Sequence, residues 1–331
     1  MNIAPRKNKP YFLKKHDYSV GMPAEFIPLF SGGSGRSGTT IVVNLLKNHP
    51  EIHSSLPREI KYLTSRYGLV DLNFGRKILL EEDFNGVRNN FLAGINNRIG
   101  KRKEEIFLSY LKSKWWSEIG KKGKPRGLVQ GVTEEQLMKI STQFRSNYKK
   151  DLLAASRELF YDLSTCQFKK DGIRYFADST PVNTMQANLI NQLFPDALFI
   201  NMIRDGRDVA YSVSKERWGP GDPFKALKWW GNRVLISHQS LSQLGGEKYL
   251  EIRLEKLISL DRENQYRNIL SFLDIADHLT MREYFDYEMR PEKMSQGEWK
   301  SKVPNPIAFD KEYDKVLTKL TQHGVNIEKF Y

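Results

Sequence analysis

The sequence predicts an α/β fold: a central parallel β-sheet flanked by helices, with one helical insertion. Three observations carry this. Short strand-like apolar runs alternate with helical patterns along most of the chain, which argues for a parallel sheet covered on both faces. Residues 197–203 are apolar at nearly every position, as a strand buried on both sides requires. A glycine-rich stretch, Gly32 to Gly38, stands between an apolar run and a helical pattern. Strand, loop and helix in that order can cradle a phosphate on backbone N–H groups.

Composition sets the bounds. The chain has 331 residues, 40% apolar and 12% aromatic, enough for a substantial core and against disorder throughout. The net charge of +13, from 52 basic against 39 acidic residues, predicts an anionic partner. Cys166 is the single cysteine, so no intrachain disulfide can form and a reducing compartment is expected. Residues 1–24 read as a polar basic arm, with Arg6, Lys7, Lys9, Lys14 and Lys15, and lack the apolar stretch of a signal peptide. No apolar run reaches membrane-spanning length, and a cytoplasmic location is expected. Residues 25–331 read as a single domain, with a helix-rich insertion over about 70–150 placed as an acceptor-side lid.

Within the domain, residues 26–30 form the first strand. The glycine loop follows, then a helix ending before Pro50. Residues 51–56 are extended and Pro57 interrupts them. Residues 151–168 give an amphipathic helix, with Leu152, Ser156, Leu159 and Leu163 on one stripe. A strand over 174–178 ends in Ser179-Thr180-Pro181 at a helix start, where proline is tolerated. A helix over 183–194, the strand 197–203 and a helix through Val209 and Val213 follow. After the loop 218–223 come a long helix over 224–241, a strand over 248–254 and a helix over 263–273. Residues 290–305 read as a polar loop.

The glycine loop has P-loop-like spacing with one exception. Where a nucleotide triphosphatase carries lysine after the second glycine, this chain has Thr39. Ser37, Gly38, Thr39 and Thr40 offer backbone and hydroxyl donors to one phosphate, and Arg36 adds a planar, fixed charge. A second cluster begins at Arg204, at the carboxyl end of the buried strand, where open α/β sheets bind ligands. Ser212 stands eight residues on, so Arg204 and Ser212 can clasp a second phosphate. Asp205 and Asp208 read as solvated charges at a helix start, where acids suit the dipole.

These residues carry a resemblance. Gly35-Arg-Ser-Gly-Thr-Thr40 resembles the 5′-phosphosulfate loop of sulfotransferases that use 3′-phosphoadenosine 5′-phosphosulfate (PAPS). The segment from Arg204 to Ser212 is similar to their 3′-phosphate motif. Residues 292–300 are similar to the C-terminal loop that closes over the nucleotide, with Lys293, Gln296, Gly297 and Trp299 at matching positions and Glu292 where the family has arginine. The resemblance implies PAPS as sulfuryl donor, adenosine 3′,5′-bisphosphate as product and no metal requirement. It accounts for the missing lysine, since the bond broken joins the 5′-phosphate to sulfate. Arg36 and the Thr39–Thr40 donors would stabilise the leaving phosphate.

The acceptor hydroxyl must lose a proton. Arg58-Glu-Ile-Lys-Tyr62 resembles the segment of glycosaminoglycan-type sulfotransferases whose glutamate is the base, which puts Glu59 first and His53 second. Asp178-Ser-Thr-Pro181 resembles an Asp-Lys-Thr-Pro segment of the family. Ser179 replaces the lysine that helps stabilise the transition state, so either Ser179 bonds the sulfuryl group or a basic residue such as Lys61 substitutes. From 98 to 126, basic residues interleave with Phe107, Tyr110, Trp115 and Trp116, a pattern that fits an acidic glycan, a membrane surface or aromatics turned into the core. Trp218, Trp229 and Trp230 read as packing residues. A carbohydrate acceptor is expected, with tyrosine in a polypeptide or a small metabolite as alternatives and nucleic acid disfavoured. The rival classes are a P-loop kinase or triphosphatase and a non-catalytic polyanion-binding protein.

Overall fold

The computed structural model describes residues 26–75, 103–120 and 123–330. The basic arm 1–24, and the part of the insertion that holds Arg98, Lys101 and Arg102, lie outside the described residues. Five parallel strands form the sheet, in the order β2-β3-β1-β4-β5. They are β1 (Ile27–Gly33), β2 (Ile52–Ser54), β3 (Tyr175–Asp178), β4 (Leu198–Ile203) and β5 (Tyr249–Arg253). β1 is central, with Phe30 opposite Asp178 on one side and Phe199 on the other.

Period-two alternation divides the strands between two cores. Phe30, Phe176 and Phe199 turn to one face, with the helices Leu152–Thr165 and Ala187–Leu193. Leu29, Ala177, Ile200 and Ile252 turn to the other, against α1 (Thr39–Leu46) and the helix Arg262–Leu273. A third cluster joins the helices Gly206–Ser214, Pro223–Leu241 and Pro306–Gln322 around Trp230.

The insertion packs into the first core. Phe107, Leu111 and Trp115 are buried there with Leu137, Ile140 and Phe144 of the helix Glu134–Asn147. Of the readings open for the basic stretch, packing is therefore the role of Phe107 and Trp115. Its charges lie on exposed faces instead, as at Lys114 and Lys124. The helix Glu134–Asn147 opens on a capping box, with Thr133 and Gln136 each accepting the other's backbone N–H.

Two glycines decide how closely the elements approach. A Cβ on Gly32 of β1 would collide with Thr184 of the 3₁₀ turn Pro181–Gln186, and one on Gly206 with the Trp230 ring. Both contacts draw helical segments against the carboxyl edge of the sheet. Among the described residues, no helix is long and apolar enough to cross a membrane.

Candidate active site

The carboxyl ends of β1, β3 and β4 deliver the glycine loop, Asp178 and Arg204 to one edge of the sheet. The loop needs left-handed backbone at Gly35 (φ 84°), Arg36 (φ 58°) and Gly38 (φ 102°). Glycine takes that conformation freely; for Arg36 it costs about 1–2 kcal/mol, a cost typical of functional loops. Gly38 opens α1, which has neither a side-chain cap nor an acid in its first turn. Its positive end is left to an anion. The Ser37 hydroxyl is fully buried and, among the described residues, without a hydrogen-bond partner, as is Nε of Arg204. Orphaned buried donors beside an uncapped helix start fit a phosphate-bearing ligand.

The glycine loop and the segment from Arg204 to Ser212, distant in sequence, meet. Nε of Arg36 donates to Oγ of Ser212 at 2.9 Å. Arg204 donates to the Arg36 carbonyl at 3.3 Å and to the Ser295 carbonyl, and lies 3.8 Å from the Asp208 carboxylate. The C-terminal loop is tied in by the Gly297 N–H, which donates to Asp208 at 2.9 Å. Trp299 is buried beneath, its ring 4.7 Å from the Arg207 guanidinium. Gln296 meets the Met294 sulfur at 3.9 Å. Lys293 pairs with Glu288 at 2.8 Å rather than with any residue of the two motifs.

Asp205 and Asp208 are not the solvated charges expected of a helix start, and Arg207 lies between them. All three are buried. Arg207 pairs with Asp205 at 2.5 Å and with Asp310 at 2.6 Å, which raises its already high pKa despite burial. Glu255, just past β5, accepts the Asp205 N–H at 2.8 Å, and burial pushes its own carboxyl up. Asp205 and Arg207 keep their charges this far from water because they are paired and hydrogen-bonded to each other. Sequence gave no sign of the pairing, because Asp310 and Glu255 arrive from remote segments.

Glu59 stands on a turn, residues 55–60, fastened at several points. The Asp178 carboxylate accepts from the Ile60 N–H at 2.9 Å, from Asn183 at 2.6 Å and from Thr180 at 3.1 Å. Burial pushes the Asp178 carboxyl up to about 6 against the pull of those donors. Ser179 donates both its N–H, at 3.1 Å, and its hydroxyl, at 3.0 Å, to the Arg58 carbonyl. The Glu59 side chain is half-buried and, among the described residues, has no hydrogen bond or ion pair.

Three expectations change here. Ser179 spends its hydroxyl on the Arg58 backbone, so it holds the turn that carries Glu59 instead of reaching a sulfuryl group. Lys61 is 2.5 Å from Glu118, an ion pair that takes up its charge. His53 lies inside an aromatic layer, stacked 6.0 Å from Phe176 and edge-on 5.3 Å from Phe168, and burial lowers its pKa. His53 pairs with Phe176, which pairs with Pro28. Gly33 lies five residues further along β1, roughly 16 Å at strand rise. That separates the imidazole from the loop.

Trp218 and Trp229, expected as packing residues, flank the loop. A Cβ on Gly35 would lie 3.8 Å from Trp229, 3.9 Å from Trp218 and 3.9 Å from Pro181. Trp230 is fully buried, as expected.

A family model described as the sulfotransferase family matches residues 103–278, more than half of the chain. The chain belongs to the sulfotransferase family. The match begins after the glycine loop, so the loop adds its geometry independently. A protein-tyrosine sulfotransferase of Drosophila melanogaster is 25% identical over 100 residues, which are 29% of this chain and 20% of that relative. Among solved structures, the sulfotransferase domain of the Synechococcus PCC 7002 olefin synthase is similar at a TM-score of 0.46 and 14% identity, over 91% of this chain and 95% of that one. A sulfotransferase from Mycobacterium avium is similar at 0.47 and 12% identity, over 92% and 79%.

Proposed function

We propose that this sulfotransferase-family chain transfers a sulfuryl group from PAPS to an acceptor hydroxyl, with Glu59 as general base. The observation that carries this is the 2.9 Å bond from Arg36 to Ser212, which joins two anion-binding motifs around one uncapped helix start. Gly35 to Thr40 would hold the 5′-phosphosulfate, and Arg204 with Ser212 the 3′-phosphate. The loop 293–299 would close over the nucleotide through Gly297 and Trp299. Bound there, the donor supplies an activated sulfuryl group. Glu59 would take the acceptor proton as the acceptor oxygen bonds to sulfur and the electron pair of the broken S–O bond stays with the 5′-phosphate.

The first reading of the acceptor is a carbohydrate hydroxyl, supported by the Arg58-Glu59-Ile60 segment and the exposed charges of the insertion. A second reading, tyrosine in a polypeptide, is favoured by the relative from Drosophila melanogaster. A net charge of +13 suits an anionic acceptor of either kind. Calorimetry with adenosine 3′,5′-bisphosphate against ADP–Mg²⁺ tests the donor. The bisphosphate should bind, and equal or tighter binding of ADP–Mg²⁺ rejects the reading. Labelled PAPS offered with a glycan panel and with tyrosine peptides then decides the acceptor by where the label goes.

A further inference from the structure

We propose that Arg233 is a further catalytic residue: its guanidinium holds the sulfuryl group in transit and supplies the cation that position 179 lacks. This rests on the PAPS reading above.

Position comes first. Trp229, Arg233 and Ser237 succeed one another by one turn along the helix Pro223–Leu241, on neighbouring parts of its surface. The Trp229 ring edge reaches Gly35 in the loop. Ser237 lies 3.1 Å from the Thr184 hydroxyl, and Thr184 presses on Gly32. Arg233 thus falls between two contacts that bracket the junction of β1 and the loop. The flank is the one that carries Pro181, two residues beyond the serine that fastens the Glu59 turn.

The state of its charge comes second. The Arg233 guanidinium lies 4.2 Å from the centre of the Trp229 ring. It is half-buried and, among the described residues, has no hydrogen bond or ion pair. Burial with no acid to offset it lowers its pKa to about 10. Four other cations near the loop are engaged. Arg207 is doubly paired, Lys61 meets Glu118, Arg204 meets two carbonyls, and Arg36 donates to Ser212. A guanidinium desolvated without a counter-charge costs stability, and a ligand anion would offset it.

Chemistry comes third. During transfer the acceptor O–S bond forms and the S–O bond to the 5′-phosphate breaks. The electron pair leaves with the phosphate oxygen and the acceptor proton goes to Glu59. The sulfuryl oxygens carry negative charge throughout, and a planar cation fixed by an indole face can meet them without reorganisation.

The test uses two nucleotides that differ by the sulfuryl group. For Arg233→Met, calorimetry should show adenosine 3′,5′-bisphosphate affinity within about twofold of wild type. PAPS affinity should fall at least about tenfold, as expected for a lost charge-assisted contact. The nucleotide-free variant should melt no lower than wild type, because an uncompensated charge has gone. Arg233→Lys, which keeps the charge, should hold PAPS within about threefold of wild type and serves where the methionine variant fails to fold. Equal loss of both nucleotides, or loss of neither, overturns the assignment of Arg233 while leaving the donor reading intact. A wild-type protein that binds neither nucleotide overturns the donor reading and this one with it.

Discussion

The two flanks of the glycine loop are built on opposite electrostatic plans. On the flank of Ser212, nearly every charge has a partner: Arg36 with Ser212, Arg204 with Asp208 and backbone carbonyls, Arg207 with Asp205 and Asp310, and Asp208 with the Gly297 N–H. On the flank of Pro181, the backbone is fastened through Asp178 and Ser179, yet Glu59 and Arg233 have no hydrogen bond or ion pair among the described residues. The first plan would suit holding a ligand in one orientation. The second would leave two opposite charges available for groups whose charge changes during the proposed reaction. Scaffold rigidity is common to both; what differs is whether the charged side chains themselves are used up.

The comparison breaks most visibly at Arg207. Removing one partner of a buried, multiply paired cluster leaves Asp205 unpaired, so Arg207→Ala should lower unfolding free energy by about 3–5 kcal/mol. Urea denaturation measures this, and a loss under about 1 kcal/mol would show that the paired flank is not held by its charges.

Asp178 gives the next largest effect, as a pH dependence. Its folded pKa, about 6, lies above the usual carboxylate value. The folded state therefore binds this proton more tightly than the unfolded chain does. The stabilisation from this group is fully present below about pH 4 and is lost as pH rises through 6. Wild-type stability relative to Asp178→Asn should fall by up to about 3 kcal/mol across that window. A flat difference between the two denaturation series would place the native carboxyl at its ordinary value.

Glu59 sharpens the contrast between binding and chemistry. Glu59→Gln should leave bisphosphate affinity within about twofold and cut turnover at least about a hundredfold. Near-normal turnover would reject Glu59 as the base. The smallest effect belongs to Ser212→Ala, which removes one hydrogen bond to Arg36. Bisphosphate binding should weaken about five- to tenfold, near 1 kcal/mol, with turnover at saturation unchanged. An altered turnover would mean that the two flanks are coupled.

Much of the fold was legible in the sequence, because period and punctuation act locally. Residues 197–203 announce β4 by their continuous apolar character, and residues 224–241 announce a long helix that begins, in fact, at Pro223. Gly35, Gly38 and the lysine-free loop announce a left-handed turn before an uncapped helix start, because such backbone is a local property. The spacing from Arg204 to Ser212 was equally local. The helices Leu279–Glu288 and Pro306–Gln322 were not singled out, although the second closes over Arg207 through Asp310.

What tertiary structure alone decided is which charges are used and which remain. Ser179 reads as a substituted catalytic position until the Arg58 carbonyl is seen 3.0 Å from its hydroxyl. Lys61 reads as a free cation until Glu118 arrives from the insertion. His53 reads as a base until the stacked Phe176 ring claims its face. Arg233 drew no notice in the sequence, because its significance is a missing partner. The physical reason is common to all four. A side chain's type is fixed by its codon, but its pairing and desolvation are fixed by residues brought near from far along the chain, and those two terms decide what its charge can do.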